Sequence, residues 1–416
     1  MDYTIRPISI SLSPNVERDD VSLAFILLLK PWLCIKGEAI EMLEKKFKEY
    51  LGVHQAISFN SGRSAFVAIL RSLKLQEGDE VLIQAFTCNA VPNPILWEGL
   101  KPVYVDCRAD DFNMDATDLE KKITPRSKVV ILQHTFGLPA DIAKIQEVCN
   151  RHNLILIEDC AHALGAEYQN RKVGTFGAAA FFSFSRDKVI SSIYGGMAVT
   201  NDSELAMRMR EVQKEMSYPS LLWVQQQLRH PVLMNWIVLP TYGVLGRYLL
   251  ILLQRAHFLS KAVHWKEKRG KRPSYFPKRL PNALAILALH QLEKVERFNA
   301  HRKEVVAMYG EELQGTEYKI PKSFEDRESI SLRLPIRHKE AHDIIKKAWR
   351  RNILIGDWYT NVVAPFDTQL DLVGYQKGSC LIAEQLGNET FNLPTHIHIN
   401  RGEVERIVRF LKSYGG

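Results

Sequence analysis

The stretch KVVILQHTFGLPADIAKIQEVCNRHNLILIED, residues 128–159, decides the fold of this chain. The apolar run at 128–134 predicts a buried strand, the helical spacing over 141–152 predicts a crossover helix, and the apolar run at 154–159 predicts a second strand. Strands joined by such a crossover are parallel. Each apolar run ends in polar residues, as expected of a sheet that is buried on both faces and carries functional groups at the carboxyl ends of its strands.

The same alternation extends towards the N-terminus. After a surface helix at 38–52, the sequence predicts in order a strand at 55–59, a helix at 64–73, a strand at 80–85, a helix at 92–99 and a strand at 101–106. This rhythm predicts an α/β domain with a mostly parallel sheet. We place this large domain at 37–230, after an N-terminal arm at 1–36.

The C-terminal part follows a different pattern. One long or kinked helix at 283–313 comes first. Strand candidates then alternate with helices, in the order 331–337 (strand), 338–351 (helix), 388–394 (strand) and 402–414 (helix). These elements predict a smaller α+β domain, which we place at 280–416.

Residues 231–279 form an apolar helical insertion and a basic loop between the two domains. The run at 231–253 is mostly apolar, but Pro240 and Gly243 interrupt it, which favours two short helices over one membrane-spanning helix. Two interpretations stay open. The helices are buried against the protein or a partner subunit, or they lie on an anionic membrane surface, which would suit the eight Lys or Arg and one Glu of residues 261–279.

The composition excludes several classes of protein. The 416 residues are 46% hydrophobic and 25% charged, which is typical of a globular protein and excludes a disordered or collagen-like chain. The net charge of +8 suits an anionic ligand without requiring nucleic acid. The six cysteines are scattered, without the spacing of a zinc site or a disulfide framework. We therefore expect no metal and a cytoplasmic location, with peripheral membrane contact as the alternative left open above.

Four segments carry residues suited to chemistry. The segment FNSGRSAF at 59–66 predicts a turn from a strand into a helix. The backbone of Gly62, Arg63 and Ser64 would there cradle a phosphate, although the same residue types cap ordinary helices. The segment LIQAFTCNAVPNPI at 82–95 places Cys88 just after a strand and predicts a pocket wall.

The third segment, LILIEDCAHALGAEY at 154–168, carries an acid and a histidine. Asp159 ends a strand at the carboxyl edge of the sheet, where a partly desolvated carboxylate needs a cationic partner such as a protonated ring nitrogen. His162 either faces the same site or is a core histidine. The chain has no Walker A motif, so the acidic strand end does not indicate nucleotide hydrolysis.

The fourth segment, AAAFFSFSRDKVISSIYGGMAVTND at 178–202, carries a serine and a lysine after a strand. Ser183 ends the strand and Lys188 follows in a loop among aromatic and aliphatic residues. A desolvated lysine has a lowered pKa and is a competent nucleophile for a Schiff base. The alternative is an ordinary solvated lysine.

Taken in order, these segments resemble the DegT/DnrJ/StrS family of sugar aminotransferases that depend on pyridoxal phosphate. The resemblance is carried by NSGRSA, EGDEVLIQAFTCNAV, LKPVYVD, ITPRSKVVILQHTFGLPADI, IEDCAHALGAEY, GTFGAAAFFSFSRDK and YGGMAVTND, between residues 37 and 202, and more loosely by LHQLEKVERFNAHRKEVVAMY and LPTHIHI. It implies a fold type I transferase, a homodimer and pyridoxal 5′-phosphate as the cofactor.

The resemblance also implies roles for individual residues. Lys188 is similar to the catalytic lysine that binds the cofactor's aldehyde, and Asp159 is similar to the carboxylate that pairs with the pyridinium nitrogen. His162 corresponds to a residue at the ring face. Ser183 and the turn at 62–64 correspond to the phosphate-binding positions.

This sequence departs from the family pattern at three places. Cys88 stands where many members have an aromatic residue that stacks on the cofactor ring. The segment at 193–196, IYGG, lacks the glutamate of the family's GEGG. The family's Asn-x-Arg, which reaches the neighbouring subunit's phosphate, is Pro-Lys-Arg here, so that Arg279 is a candidate for a contact across the subunit boundary.

The implied reaction moves an amino group from an amino acid, glutamate in the family, to a nucleotide-linked keto sugar. Lys188 would move the proton in this reaction, and the basic residues at 261–279 would meet the sugar's diphosphate. A dehydratase variant is disfavoured, because such relatives carry histidine at the lysine position. The alternative from another class is a non-catalytic binding or regulatory protein that kept the fold, held at a membrane by residues 231–279.

Overall fold

The computed structural model describes residues 7–414. Its large domain is built on a seven-stranded sheet. The strands are β1 Gln55–Phe59, β2 Glu80–Gln84, β3 Lys101–Val105, β4 Ser127–Gln133, β5 Ile155–Asp159, β6 Ala179–Ser183 and β7 Gly196–Thr200. Their spatial order is β1-β7-β6-β5-β4-β2-β3, and all neighbours are parallel except β7, which is antiparallel to both β1 and β6. The predicted α/β fold with a mostly parallel sheet is confirmed.

The helices of the large domain cover the faces of this sheet. They are α1 Arg18–Leu28, α2 Ala39–Leu51, α3 Gly62–Ser72, α4 Pro92–Trp97, α5 Ala116–Lys122, α6 Ile142–Arg151 and α7 Ser203–Glu215. Helix α3 begins two residues before the predicted position because the Ser61 side chain accepts a hydrogen bond from the N–H of Ser64 and caps it. The strands between these layers are almost entirely buried, as a doubly covered sheet requires.

The C-terminal region contains a separate apolar core. The predicted long helix is two helices, α10 Asn282–Leu292 and α11 Val295–Glu312, and the later helices are α12 Ala341–Arg350, α13 Leu381–Glu389 and α14 Arg401–Lys412. Strands β8 Arg333–Arg337 and β9 Thr390–Pro394 pair in an antiparallel ladder. The C-terminal region is therefore α+β, as predicted.

The N-terminal segment joins both parts of the molecule. Residues Ile8–Ser9 pair in parallel with Ile353–Leu354. Helix α1 follows, buries Val21, Ala24 and Leu27, and contacts the helix Leu221–Leu233 and α10. The division of the chain at 36, 230 and 279 stays a prediction.

The apolar insertion is a bent pair of helices. Helix α8, Leu221–Leu233, continues through a π-helical turn at Met234–Val238, and a second π-helical turn at Tyr242–Gly246 leads into α9, Arg247–Arg255. The two pieces meet at 109°, near the predicted interruption, and no single helix in residues 7–414 is long and apolar enough to cross a membrane. Helix α8 is partly buried, whereas α9 has no buried residue in the described chain, and both interpretations of the insertion, burial against the protein or a partner subunit and contact with a membrane, stay predictions.

Candidate active site

The carboxyl ends of β5 and β6 and the start of α3 meet around one pocket. Seven of the predicted residues line it, namely Gly62, Arg63, Cys88, Asp159, His162, Ser183 and Lys188. These residues are spread over 127 positions of the chain, from 62 to 188 inclusive. The parallel sheet brings them together because the chain leaves each of these strands at the same edge.

The turn before α3 forms one wall of the pocket. Gly196 on β7 lies so close to it that an added Cβ would be 2.3 Å from the carbonyl carbon of Ser61, so only glycine allows this approach. Ser64 is turned away from the pocket, and its hydroxyl donates to Oδ1 of Asn60 at 2.7 Å. The predicted role of the Ser64 backbone in a phosphate-binding turn stays a prediction.

Arg63 enters the pocket wall in an ion pair. Its Nε lies 2.7 Å from Oε1 of Glu267, which is fully buried, and its guanidinium lies 5.2 Å from the centre of the Phe276 ring. Because Glu267 already neutralises it, the Arg63 side chain is an anchor for the basic loop. The predicted role of the Arg63 backbone in the turn stays a prediction.

Asp159 ends β5 with its side chain almost fully buried. Its Oδ1 accepts a hydrogen bond from the N–H of Ala161 at 3.0 Å. Burial raises the pKa of this carboxyl, and the Ala161 hydrogen bond and the charges of Lys188 and His134 only partly oppose the shift. A cation placed against the carboxylate would supply the missing compensation.

Lys188 follows β6 in a loop that holds its backbone in place. The N–H of Lys188 donates to the carbonyl of Ser185 at 3.1 Å, and its own carbonyl accepts from the side chain of Asn15. Nζ lies 4.8 Å from the centre of the Trp358 ring. Burial lowers the pKa of the ammonium to about 8, against the opposing charges of Cys88 and Asp159. The free amine is thus accessible near neutral pH.

His162 belongs to a stack of rings at the pocket wall. Its ring lies 6.1 Å from that of Phe136 and 5.4 Å from that of Trp358, with interplanar angles of 13° and 15°. Nδ1 accepts the N–H of Phe136 at 3.3 Å, so the proton of a neutral ring is on Nε2. Burial lowers the pKa of His162 well below its usual value. His162 is therefore buried and uncharged, and its flat ring forms part of the pocket wall.

The aromatic wall from the C-terminal half of the chain was not predicted from the sequence. Trp358 and Tyr359 line the same pocket, and the guanidinium of Arg333 lies 3.4 Å from the centre of the Trp358 ring. The adjacent pair of aromatic residues in the polar loop GDWYT, residues 356–360, was the available signal. Cys88 also lines the pocket, where burial raises the pKa of its thiol.

Arg279 lies outside this pocket. It lines a separate depression with Arg210 and Tyr218, and its guanidinium is 4.6 Å from the centre of the Tyr218 ring. Its backbone bridges to Phe59, just before the turn that leads into α3. A contact of Arg279 with the cofactor of a partner subunit stays a prediction.

The residues of the pocket fit pyridoxal phosphate. A lysine of lowered pKa suits the aldehyde, and a buried carboxylate without full compensation suits the protonated ring nitrogen. The N-terminus of α3, with Gly62 and Ser183 beside it, suits the phosphate. The fold and the site together define a pyridoxal-phosphate-dependent transferase.

The comparison with known proteins narrows this class. The model of the DegT/DnrJ/EryC1/StrS aminotransferase family matches residues 18–232 and 250–412, and the chain belongs to this family. The suspected resemblance is thereby confirmed. The protein is a pyridoxal-phosphate-dependent sugar aminotransferase, so the alternative of a non-catalytic protein that kept the fold is set aside.

Similar proteins cover nearly the whole chain. A GDP-perosamine synthase of Caulobacter vibrioides is 28% identical over 96% of this chain and 96% of its own. A dTDP-3-amino-3,6-dideoxy-α-D-galactopyranose transaminase of Aneurinibacillus thermoaerophilus is 28% identical over 92% of each chain. The structure of Helicobacter pylori PseC, an aminotransferase involved in pseudoaminic acid biosynthesis, superposes with a TM-score of 0.76 at 23% identity, covering 99% of this chain and 100% of the other. The last comparison supports the fold.

Proposed function

We propose that this enzyme transfers an amino group from glutamate to a keto sugar linked to a nucleoside diphosphate. The observation that carries the proposal is that Lys188 and Asp159 line one pocket, the first with a lowered pKa and the second incompletely compensated. The names of the relatives include sugars linked to GDP, dTDP and UDP. They support a nucleotide sugar as the amino acceptor, and we put a GDP-linked 4-keto-6-deoxyhexose first among the candidates.

Lys188 has two tasks in this proposal. When bound, pyridoxal phosphate supplies an electron-withdrawing ring that stabilises negative charge at the carbon losing a proton, which no side chain can do. The uncharged amine of Lys188 would hold the aldehyde carbon of the cofactor. When freed, the same amine would move the proton from the α-carbon of the amino donor to the cofactor, and in the second half-reaction from the cofactor to the sugar carbon that receives nitrogen.

The other residues bind and orient. Asp159 holds the positive ring nitrogen and keeps it protonated, because the two charges compensate each other in a buried site. The neutral ring of His162, supported by Trp358, provides a flat face and excludes water. The N-terminus of α3 and the Ser183 side chain bind the phosphate group.

The location and the oligomeric state of the enzyme are also part of what we propose. We propose a cytoplasmic homodimer in which Arg279 reaches the partner subunit's phosphate site. Its support is the family membership and the position of Arg279 next to the turn that precedes α3. A membrane contact through 231–279 would use a surface other than the pocket.

Half-reactions test the proposal. Purified protein loaded with pyridoxal phosphate should absorb in the visible range, and glutamate should convert the spectrum to that of pyridoxamine phosphate. The loaded amine form should then react with a GDP-, dTDP- or UDP-linked keto sugar and regain the first spectrum. We expect Lys188→Ala to slow both conversions by at least about 10³-fold, because it removes the group that moves the proton.

The matched control is Lys377→Ala, an exposed lysine outside the pocket. It should react like the unaltered enzyme. Normal turnover in Lys188→Ala would refute the role of Lys188, and failure of every keto sugar nucleotide after a successful first half-reaction would refute the proposed acceptor.

A further inference from the structure

The outward side of the bent helix pair is apolar and exposed. We call this the apolar surface and define it by six side chains, each between 42% and 66% exposed, namely Trp236, Ile237, Leu245, Tyr248, Ile251 and Leu252. The exposed ring of Phe25 on α1 lies 5.3 Å from the ring of Trp236 and extends the surface onto a second element. Exposed apolar groups that form a continuous patch indicate a binding surface.

Helix α9 is apolar on both of its sides. Leu245 in the preceding π-helical turn and Tyr248 and Leu252 in α9 follow each other at helical spacing and are exposed. On the other side, Leu250 and Leu253 pack against a small buried cluster that contains Met234. A helix that is apolar all round is typical of an interior or a membrane, and in residues 7–414 nothing buries the outer side of α9.

Basic residues flank the apolar helix α9 in the sequence. Residues 216–266 contain no Asp or Glu. Within this stretch, Arg247 and Arg255 stand at the two ends of α9 and are exposed, and Lys261 follows shortly after. A patch that combines apolar and basic side chains with no acid is complementary to a surface that is apolar and anionic.

We propose that the apolar surface docks on an anionic lipid bilayer. The apolar side chains enter the boundary of the acyl chains, while Arg247, Arg255 and Lys261 meet the headgroups. The 109° bend suits a helix pair that lies at the interface. A second copy of this chain is a weaker partner, because a two-fold interface would place this positive patch against itself.

The tip of the helix pair stands apart from the shared family fold. The family model matches up to residue 232 and again from residue 250, so residues 233–249 fall between the matched segments. The chemistry common to the family therefore does not depend on them. The segment just after the pair reaches the pocket, however, since Ala262 and Val263 line it, and docking would hold the pocket close to the bilayer.

Vesicle sedimentation of the full chain tests the proposal. We would compare vesicles of phosphatidylcholine alone with vesicles of roughly one part phosphatidylglycerol to two parts phosphatidylcholine. The unaltered protein should sediment with the anionic vesicles and lose binding at high salt. The double variant Leu245→Ser with Leu252→Ser should lose binding, and Arg247→Gln with Arg255→Gln should weaken it, by about fivefold for each charge removed.

Matched controls separate the surface from general effects. Leu381 is 67% exposed, like Leu245 at 66%, but lies outside the apolar surface, so Leu381→Ser should bind normally. Lys339→Gln with Lys377→Gln removes two exposed charges elsewhere and should also bind normally. All variants should retain the half-reaction with glutamate, which shows that they fold.

Three results would overturn the proposal. The first is no sedimentation of active protein with anionic vesicles. The second is unchanged sedimentation of Leu245→Ser with Leu252→Ser. The third is a dimer in analytical ultracentrifugation that this variant dissociates while vesicles leave it intact, which would assign the surface to a second copy.

Discussion

Two apolar segments of nearly the same sequence lie in opposite environments. Residues 154–157 read LILI, and residues 249–253 read LLILL. The first run leads into and forms β5, where Ile157 is fully buried, whereas the second forms most of α9, which buries no residue. Apolar composition alone therefore does not decide burial. The neighbours do, because β5 lies between two parallel strands and α9 packs along one side only.

The difference follows from what each run must do with its backbone. A strand satisfies its N–H and C=O groups only by pairing with other strands, so an apolar strand is drawn into a sheet and covered. A helix satisfies most of its own backbone groups and can therefore present apolar side chains to a partner. Buried strands form the frame of the pocket, and an exposed helix forms the apolar surface.

The prediction with the largest expected effect concerns the truncation of one isoleucine in each run, which tests this contrast. Ile157→Ala should destabilise the protein by about 4 kcal/mol, because it leaves a cavity in the core of the sheet. Ile251→Ala, at a side chain that is 48% exposed, should change stability by no more than about 0.5 kcal/mol. Urea unfolding of the two variants, with the unaltered protein as reference, measures both.

Similar losses in both variants would break the comparison. They would mean that the outer side of α9 is covered in the native protein. Repeating the measurement over a range of protein concentrations would then identify self-association as the cause, since a dimer's stability depends on concentration.

The second prediction concerns a buried polar network behind Lys188. Arg302 is fully buried, and its Nη2 donates to Oδ1 of Asn15 at 2.9 Å and to the carbonyl of Val189 at 3.0 Å. Asn15 in turn donates to the carbonyl of Lys188. Arg302→Met leaves Oδ1 of Asn15 without this donor and removes one of the two donors to the Val189 carbonyl, and it should cost about 2 kcal/mol of stability. It should also lower kcat by about tenfold while the KM for the sugar stays constant, because only the lysine loop is displaced.

Arg247, at the start of α9, provides the matched arginine. It is exposed, so Arg247→Met should leave both stability and kcat unchanged. Arg302→Lys should recover part of the lost kcat, because an ammonium group can still donate to some of the same acceptors. A parallel rise in the sugar KM would assign Arg302 to substrate binding instead of to the position of Lys188.

The strands and the residues at their ends could be predicted from the sequence, because they depend on neighbouring residues. Side-chain contacts between distant segments could not. Strands such as β5 and the residues at their ends, Asp159 among them, follow from apolar runs and turns that lie within a few positions. The ion pair between the Arg63 guanidinium and Glu267, some 200 residues later, was not predicted. The Asn15 and Trp358 side chains reach the lysine from opposite ends of the chain. No spacing rule connects them, because only the folded chain brings these segments together.

The smallest expected effect distinguishes the buried Lys188 from the exposed lysines of the surface by pH. The pKa of Lys188 is lowered to about 8, so its amine loses the proton, and becomes reactive, at a lower pH than a solvated lysine. Binding of pyridoxal phosphate to the cofactor-free enzyme, followed by absorbance, should accelerate about threefold between about pH 7.5 and 8.5 and then level off. In Lys188→Ala, only surface amines remain, and their slow reaction should keep rising about tenfold per pH unit in this range. Changes in the ionisation of the reagent affect both proteins equally, so the comparison isolates the Lys188 amine. If the rate of the unaltered enzyme rises as steeply as that of the variant, the Lys188 amine is solvated. The contrast between the two regions would then fail at the residue that matters most for the reaction.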